Sequence, residues 1–270
     1  MLDTHPITVM PGLGVHRVGC DSNPPGWSPD EVILTFAAIL VTDGMYRRRV
    51  NGIEQTVDPV TAYFQCPGEE QRVFHPAGGD TTTVIVPSER LLGSLGDPDR
   101  LSGTTLLITP ESDLAHRMLL ARAAACVDRE ELAERATALV GGLIETDRLI
   151  HPQATSRLDR RLAARVRESL DAEVRVSLLD MATDAGFSAY RLSRAFRRVT
   201  GLTLTSYRSR LRTRRALARL AEGDRDLAGI AVEVGFADQA HMTRSLRSAS
   251  GMTPRILRRV LGPPPILRAS

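Results

Sequence analysis

The chain has 270 residues, room for about two domains, and its 42% apolar content contains no long uncharged apolar run, which argues against a membrane-spanning protein. Its formal charge of +3 conceals a division: residues 157–270 hold 23 arginines against 11 acidic side chains, and residues 1–156 hold 12 against 21. All 35 basic residues are arginine, and a basic half joined to an acidic half directs only one part of the chain at a polyanion.

The opening "MLDTHPITVMPGLG" has no basic stretch followed by an apolar one, so no secretory signal is expected. Cys20, Cys66 and Cys126 are odd in number, far apart and in no CxxC pair. That disfavours a disulfide framework or a zinc site and places the chain in a reducing cytoplasm.

Residues 1–110 read as β-rich. "EVILTFAAILVTDG" is an apolar, β-branched run closed by a turn signal, and "RRRVNGIEQTV" sets Asn51-Gly52 between two extended stretches, a strong hairpin signature. Further short strands broken by Pro-Gly and Gly-Gly suggest a small sandwich or barrel. Arg47, Arg48 and Arg49 sit on the hairpin and could hold an anionic effector; alternation puts only some on one face, and a solvated hairpin is the preferred reading. Residues 111–127 and 129–147 read as amphipathic helices, the second with Leu132, Ala136, Leu139, Val140 and Leu143 on one face. "IHPQATSR" is the natural linker.

From 157 the pattern is helical. Leu158, Leu162, Val166 and Leu170 mark one face of a first helix. Ser177 with Asp180 is a capping box, Ser188 caps the next helix, and Gly186 and Gly201 end the two. A long helix over 205–222 follows, closed by Gly223. The unit then recurs, with Asp226, Gly235, Asp238 and Gly251 in the corresponding roles. Gly186-Phe187 matches Gly235-Phe236; after one inserted residue, Leu192-Ser193-Arg194 matches Met242-Thr243-Arg244, and Gly201-Leu202-Thr203 matches Gly251-Met252-Thr253.

Each unit is short helix, glycine turn, second helix, the plan in which the second helix enters a major groove. Apolar Phe187, Leu192 and Phe196, and in the second unit Phe236, Met242 and Leu246, dock that helix. Tyr190, Arg191, Arg194, Arg197 and Arg198 then point outward in the first unit, and Gln239, His241, Thr243, Arg244 and Arg247 in the second. Arginine pairs with guanine, glutamine with adenine and the threonine methyl with thymine. Arginine-rich faces are often mere solvated surface, but two tandem units inside the basic half make that reading the weaker one.

The stretch from "LLDMATDAGFSAYRLSRAFRR" through "IAVEVGFADQAHMTRSLRSASGMTP" resembles the DNA-binding domain of the AraC/XylS family of bacterial transcription regulators. Met242 and Leu246 stand where that family usually has Phe, and Ala240 where Ser is common. The resemblance implies an α+β chain. A cupin-like sensory β-barrel over 1–110 and a helical dimerisation segment over 111–149 lead through a linker at 150–156 to an all-α domain over 157–265 with two helix-turn-helix subdomains. It implies recognition helices over about 188–200 and 238–250 reading successive major grooves. By motif position Tyr190, Arg194, Gln239, His241 and Arg244 read bases, to which the outward faces add Arg191 and Thr243. Arg197, Arg198, Arg208, Arg212 and Arg247 then contact phosphates. Double-stranded DNA, RNA polymerase, a second copy of the chain and a small-molecule effector are the implied partners, and activation the implied outcome.

Trp27, Tyr46, Tyr63 and His75 are candidates for an effector pocket, beside the plainer reading that they are barrel core. His5, His16 and His75 form no H-x-H motif, so neither metal nor cofactor is expected. DNA-repair methyltransferases that share the helix-turn-helix domain need an activated cysteine, and "VGCDSN", "FQCPGE" and "AACVDR" offer none, so no enzymatic activity is expected.

Overall fold

β-Branched and aromatic residues dominate the first hundred positions, and they form strands. The computed structural model describes residues 2–20, 26–76, 78–95, 99–125, 127–145, 149–150 and 155–263; Cys126, linker positions 151–154 and positions 264–265 of the expected C-terminal domain lie outside them. The strands are β1 (Leu2–Met10), β2 (Leu13–Cys20), β3 (Glu31–Val32), β4 (Ala37–Gly44), β5 (Tyr46–Val50), β6 (Ile53–Val57), β7 (Thr61–Gln65), β8 (Glu70–Phe74) and β9 (Asp80–Pro87). Helix α1 (Glu89–Leu95) and strand β10 (Thr105–Leu107) precede α2 (Pro110–Ala124) and α3 (Arg129–Ile144), and β11 (Leu149–Ile150) follows. The rest is helical: α4 (Arg157–Ala172), α5 (Leu178–Ala185), α6 (Ala189–Thr200), α7 (Leu204–Ala221), α8 (Leu227–Glu233), α9 (Gln239–Ser250) and α10 (Pro254–Leu261).

The fold is α+β, as expected, with an antiparallel N-terminal part. The strands make two open sheets rather than one closed barrel, in the orders β1-β2-β9-β4-β7-β10-β11 and β3-β8-β5-β6. The β5–β6 hairpin turns on Asn51 and Gly52, whose φ values of 47° and 81° are both positive, as the tight two-residue turn matching strand twist requires. Ile39 and Val41 of one sheet and Tyr46 and Val57 of the other join in one buried cluster between them.

The hairpin arginines do not form a solvated run. Arg48 is fully buried, donates to Glu69 at 3.1 Å and lies 3.9 Å from the Tyr63 ring centroid. Glu69 in turn accepts from the Gly103 amide (2.7 Å) and the Ser102 hydroxyl (2.9 Å). Strand alternation turned the middle arginine inward, and the carboxylate with its own donors compensates its desolvation.

The chain condenses into two units, one of residues 1–108 and 140–208, the other of 109–139 and 209–270. The divisions fall inside α3 and α7.

In the first unit α4 is secured to the strands. Asp58 accepts from the Tyr207 hydroxyl and faces the Arg167 guanidinium at 3.3 Å; Arg47 donates to Glu168 at 2.9 Å. Leu162, Val166 and Leu170 are buried as the α4 stripe predicts, but Leu158 is exposed, one turn too early to reach the core.

In the second unit Ala216, Leu217, Leu220, Ile230, Phe236, Met242, Leu246 and Leu257 form one core, with Leu114 and Met118 of α2 packed on it. Asp113 joins α2 to α7 through Arg214 at 3.1 Å and also binds Arg117 at 3.1 Å. The apolar positions of α3, from Leu132 to Leu143, are buried by the single chain.

Candidate nucleic-acid interface

The two helix-turn-helix units are built by the caps that their sequences announce. In the first, Ser177 accepts from the Asp180 amide (3.1 Å), Gly186 ends α5 in the left-handed region with φ 72°, and Ser188 accepts from the Arg191 amide (3.2 Å). In the second, Asp226 accepts from Gly229 (2.9 Å), Gly235 turns with φ 90°, and Asp238 accepts from His241 (2.6 Å). Side chains at the N-caps satisfy amides that have no partner within the helix, and the glycines adopt a conformation that costs other residues energy.

Leu192 and Phe196 anchor α6 with at most 1% exposure, and Phe196 meets Tyr207 edge to face at 5.1 Å. Met242 and Leu246 anchor α9 with none. Phe236 is buried, but Phe187 keeps 38% of its surface exposed. The pattern that makes both phenylalanines docking residues therefore holds fully only in the second unit.

The outward faces carry the predicted side chains in different states. On α6, Tyr190 is exposed, and Arg194 donates to its hydroxyl at 3.0 Å while lying 5.5 Å from the ring centroid. Arg197 is exposed. Arg191 and Arg198 both reach back to Asp159 on α4. Arg198 donates through Nε and Nη2 at 3.0 Å each, and Arg191 through Nη2 at 3.2 Å. The hydrogen bonds from Arg198 hold the Asp159 carboxyl below the usual carboxylate range, and the same bond raises Arg198. Asp159 is the residue that sequence reading missed. An acid in the first turn of a helix reads as a partner of the helix dipole, and its arginines lie 32 and 39 positions away.

On α9, Gln239, Arg244 and Arg247 are exposed, with no ion pair among the described residues. Thr243 is half-buried, and His241 packs edge to face on Phe236 at 5.2 Å. On α7, Arg208 donates to the Val176 carbonyl at 2.6 Å, and burial lowers its pKa; Arg212 is half-buried. Neither stands fully in solvent, in contrast to Arg197, Arg244 and Arg247.

The four effector candidates divide. Tyr46 and Tyr63 share a hydrogen bond of 2.9 Å, the Tyr46 ring lies 5.5 Å from His75, and His75 pairs with Asp80 at 2.7 Å. Burial drives both tyrosines above their ordinary pKa. Trp27 packs instead on Phe74 and under the guanidinium of Arg49, 4.5 Å away. Cys20, His75 and Asp80 bring one ligand atom each within 4.8 Å of one another. The His75–Asp80 bond, with Thr82 donating to Asp80 at 2.7 Å, accounts for that grouping as a satisfied buried pair. Among the described residues no helix is long and apolar enough to cross a membrane.

Residues 181–260 match the family model of a helix-turn-helix domain. The Tn10 transposon protein TetD of Escherichia coli is 32% identical over 80 residues, which are 30% of this chain and 58% of that protein. The chain thus spans little more than half the length of this curated relative. Among solved structures, ToxT from Vibrio cholerae with a bound unsaturated fatty acid is 10% identical, aligned over 91% of this chain and 95% of its own, with a TM-score of 0.36. A regulator from Chromobacterium violaceum with an AraC-type DNA-binding domain is 23% identical over 40% of this chain and 99% of its own, with a TM-score of 0.37.

Proposed function

We propose that this chain, whose residues 181–260 match the family model of a helix-turn-helix domain, is a cytoplasmic, effector-responsive activator of the AraC family in which α6 and α9 read successive major grooves. One observation carries this reading: the same cap–helix–glycine–cap–helix device is built twice, and both second helices turn polar residues to solvent. Tyr190, Arg194, Gln239 and Arg244 are the base readers, and Arg197 and Arg247 the phosphate contacts. A second copy of the chain and RNA polymerase are the protein partners. The dimer uses the polar face of α3, since its apolar stripe is covered within one chain. The chain performs no chemistry of its own.

Selection of bound fragments from genomic DNA by the full chain, followed by footprinting, tests the reading. Two protected blocks about 34 Å apart on one face of the duplex are expected. Protection in one groove alone, or no sequence preference, would overturn it.

A further inference from the structure

Within the first unit, a pocket of about 280 Å³ opens beside the β5–β6 hairpin and α4. Arg49, Arg157, Arg160, Arg161 and Arg167 line it, and Glu54 is its one acidic side chain. Glu54 already faces Arg47 at 3.3 Å and Arg49 at 3.5 Å, and Arg167 is occupied by Asp58 and the Thr56 carbonyl. Arg157 and Arg161 have no ion pair among the described residues. The wall therefore carries more positive charge than it compensates, and guanidinium groups gathered in a concavity bind carboxylate or phosphate strongly through paired, charge-assisted hydrogen bonds.

A second observation points the same way. Gln55 lines the pocket with 6% exposure and donates its amide NH₂ to the Gly103 carbonyl. Its side-chain oxygen is buried without a hydrogen-bond partner. A buried acceptor left so is costly, and a ligand hydroxyl would satisfy it. The apolar lining is confined to small side chains, Ala163, Ala164 and Val199, which gives no channel for a long hydrocarbon.

We propose that this pocket is the effector site, and that it takes a small hydroxylated organic anion, a sugar acid or sugar phosphate in size and chemistry. The site is coupled to DNA reading, and in this respect it rests on the function proposed above. Arg157, Arg160 and Arg161 flank Asp159 in the α4 sequence, and Val199 belongs to α6. An anion drawn onto the α4 arginines thus bears on the helix that holds Arg191 and Arg198. An effector alters DNA affinity only by its differential affinity for the two states.

The test uses the full chain, in thermal-shift and calorimetric titrations with gluconate, glucose 6-phosphate, inorganic phosphate and neutral glucose at matched ionic strength. At least one hydroxylated anion should bind saturably and raise the melting temperature, while glucose should not. Arg157→Gln/Arg161→Gln, two exposed positions whose loss leaves the ligand-free melting temperature in place, should weaken that binding at least tenfold; Gln55→Leu should weaken it less. No saturable binding by either organic anion, or equal binding by the double variant, overturns the proposal. So does loss of DNA affinity in the double variant without any anion binding, which assigns these arginines to the phosphate backbone. DNA binding measured without ligand reports separately on the function itself.

Discussion

The two helix-turn-helix units share a motif and differ in their neighbours. Around α9 the docking residues are fully covered and the polar face is unencumbered: Phe236 is 2% exposed, and Arg244 and Arg247 stand in solvent. Around α6 the docking is looser and the polar face is partly committed, with Phe187 38% exposed and two arginines bound to Asp159. Serine caps in one unit and aspartate caps in the other thus play the same part twice, while an acid on an adjacent helix decides which side chains remain available to a ligand. Under the function proposed above, the difference would make α9 the stronger reader.

The largest difference between the two units should be in stability. Phe236→Ala removes a ring from a closed core and should cost about 3–5 kcal/mol, whereas Phe187→Ala should cost far less; urea denaturation of both variants decides. Equal losses would mean that both units are packed alike.

Next in size is base reading. Arg244→Ala should lose roughly 1–3 kcal/mol on the best site and relax the preference at one base pair, while Arg247→Ala weakens all sequences alike. Anisotropy titrations on the best site and its single-base variants measure this. If Arg191→Ala cost more than Arg244→Ala, the ranking of the two helices would be reversed.

A third contrast concerns His116, which lies under the second unit. Burial, with Arg214 and Arg117 beside it and Asp113 opposing them, lowers its pKa to about 3. The unfolded chain therefore binds a proton between pH 6.5 and about 3 that the folded chain refuses. Stability should fall over that window as pH drops, by up to about 1.4 kcal/mol per pH unit. Burial opposes the Asp113 charge, but Arg117 and Arg214 outweigh it and hold the carboxyl below 3.8, so its stabilisation is lost only at still lower pH. His116→Asn should flatten denaturation midpoints between pH 6.5 and 4; an unchanged slope would remove His116 as the cause.

The smallest effect is electrostatic. Asp159→Asn should release Arg191 and Arg198 and steepen the dependence of log affinity on log salt by about 0.9 for each arginine that reaches a phosphate. Because the Asp159 carboxyl titrates below its ordinary range, the wild-type pairing persists from neutral pH downward and is lost only as pH falls through that lowered value. An unchanged salt slope in the variant would show that the freed arginines find no DNA.

Local chemistry was legible in the sequence and distant pairing was not. Ser177, Ser188, Asp226 and Asp238 cap within three residues of themselves, and Asn51-Gly52 closes a two-residue turn, so a short window contains each cause. Arg48 with Glu69, Tyr207 with Asp58, and Arg198 with Asp159 are joined only by the tertiary fold, across 21, 149 and 39 positions. Periodicity assigns a face to such residues but no partner. Hence the hairpin arginines read as solvated, and nothing local to Asp159 announces its partners.

The packing of α2 on the second unit bears on how such a protein can be inherited in pieces. Leu114 and Met118 complete a core otherwise drawn from residues 216–261, and Asp113 secures Arg214. A crossover in the 150–156 linker would move α9 into a new host without its lid, leaving an uncovered apolar patch and a buried arginine without its Asp113 partner. Exchange of α9 between relatives therefore favours joints before residue 109, and the apparent modularity of the sequence overstates what recombination can separate.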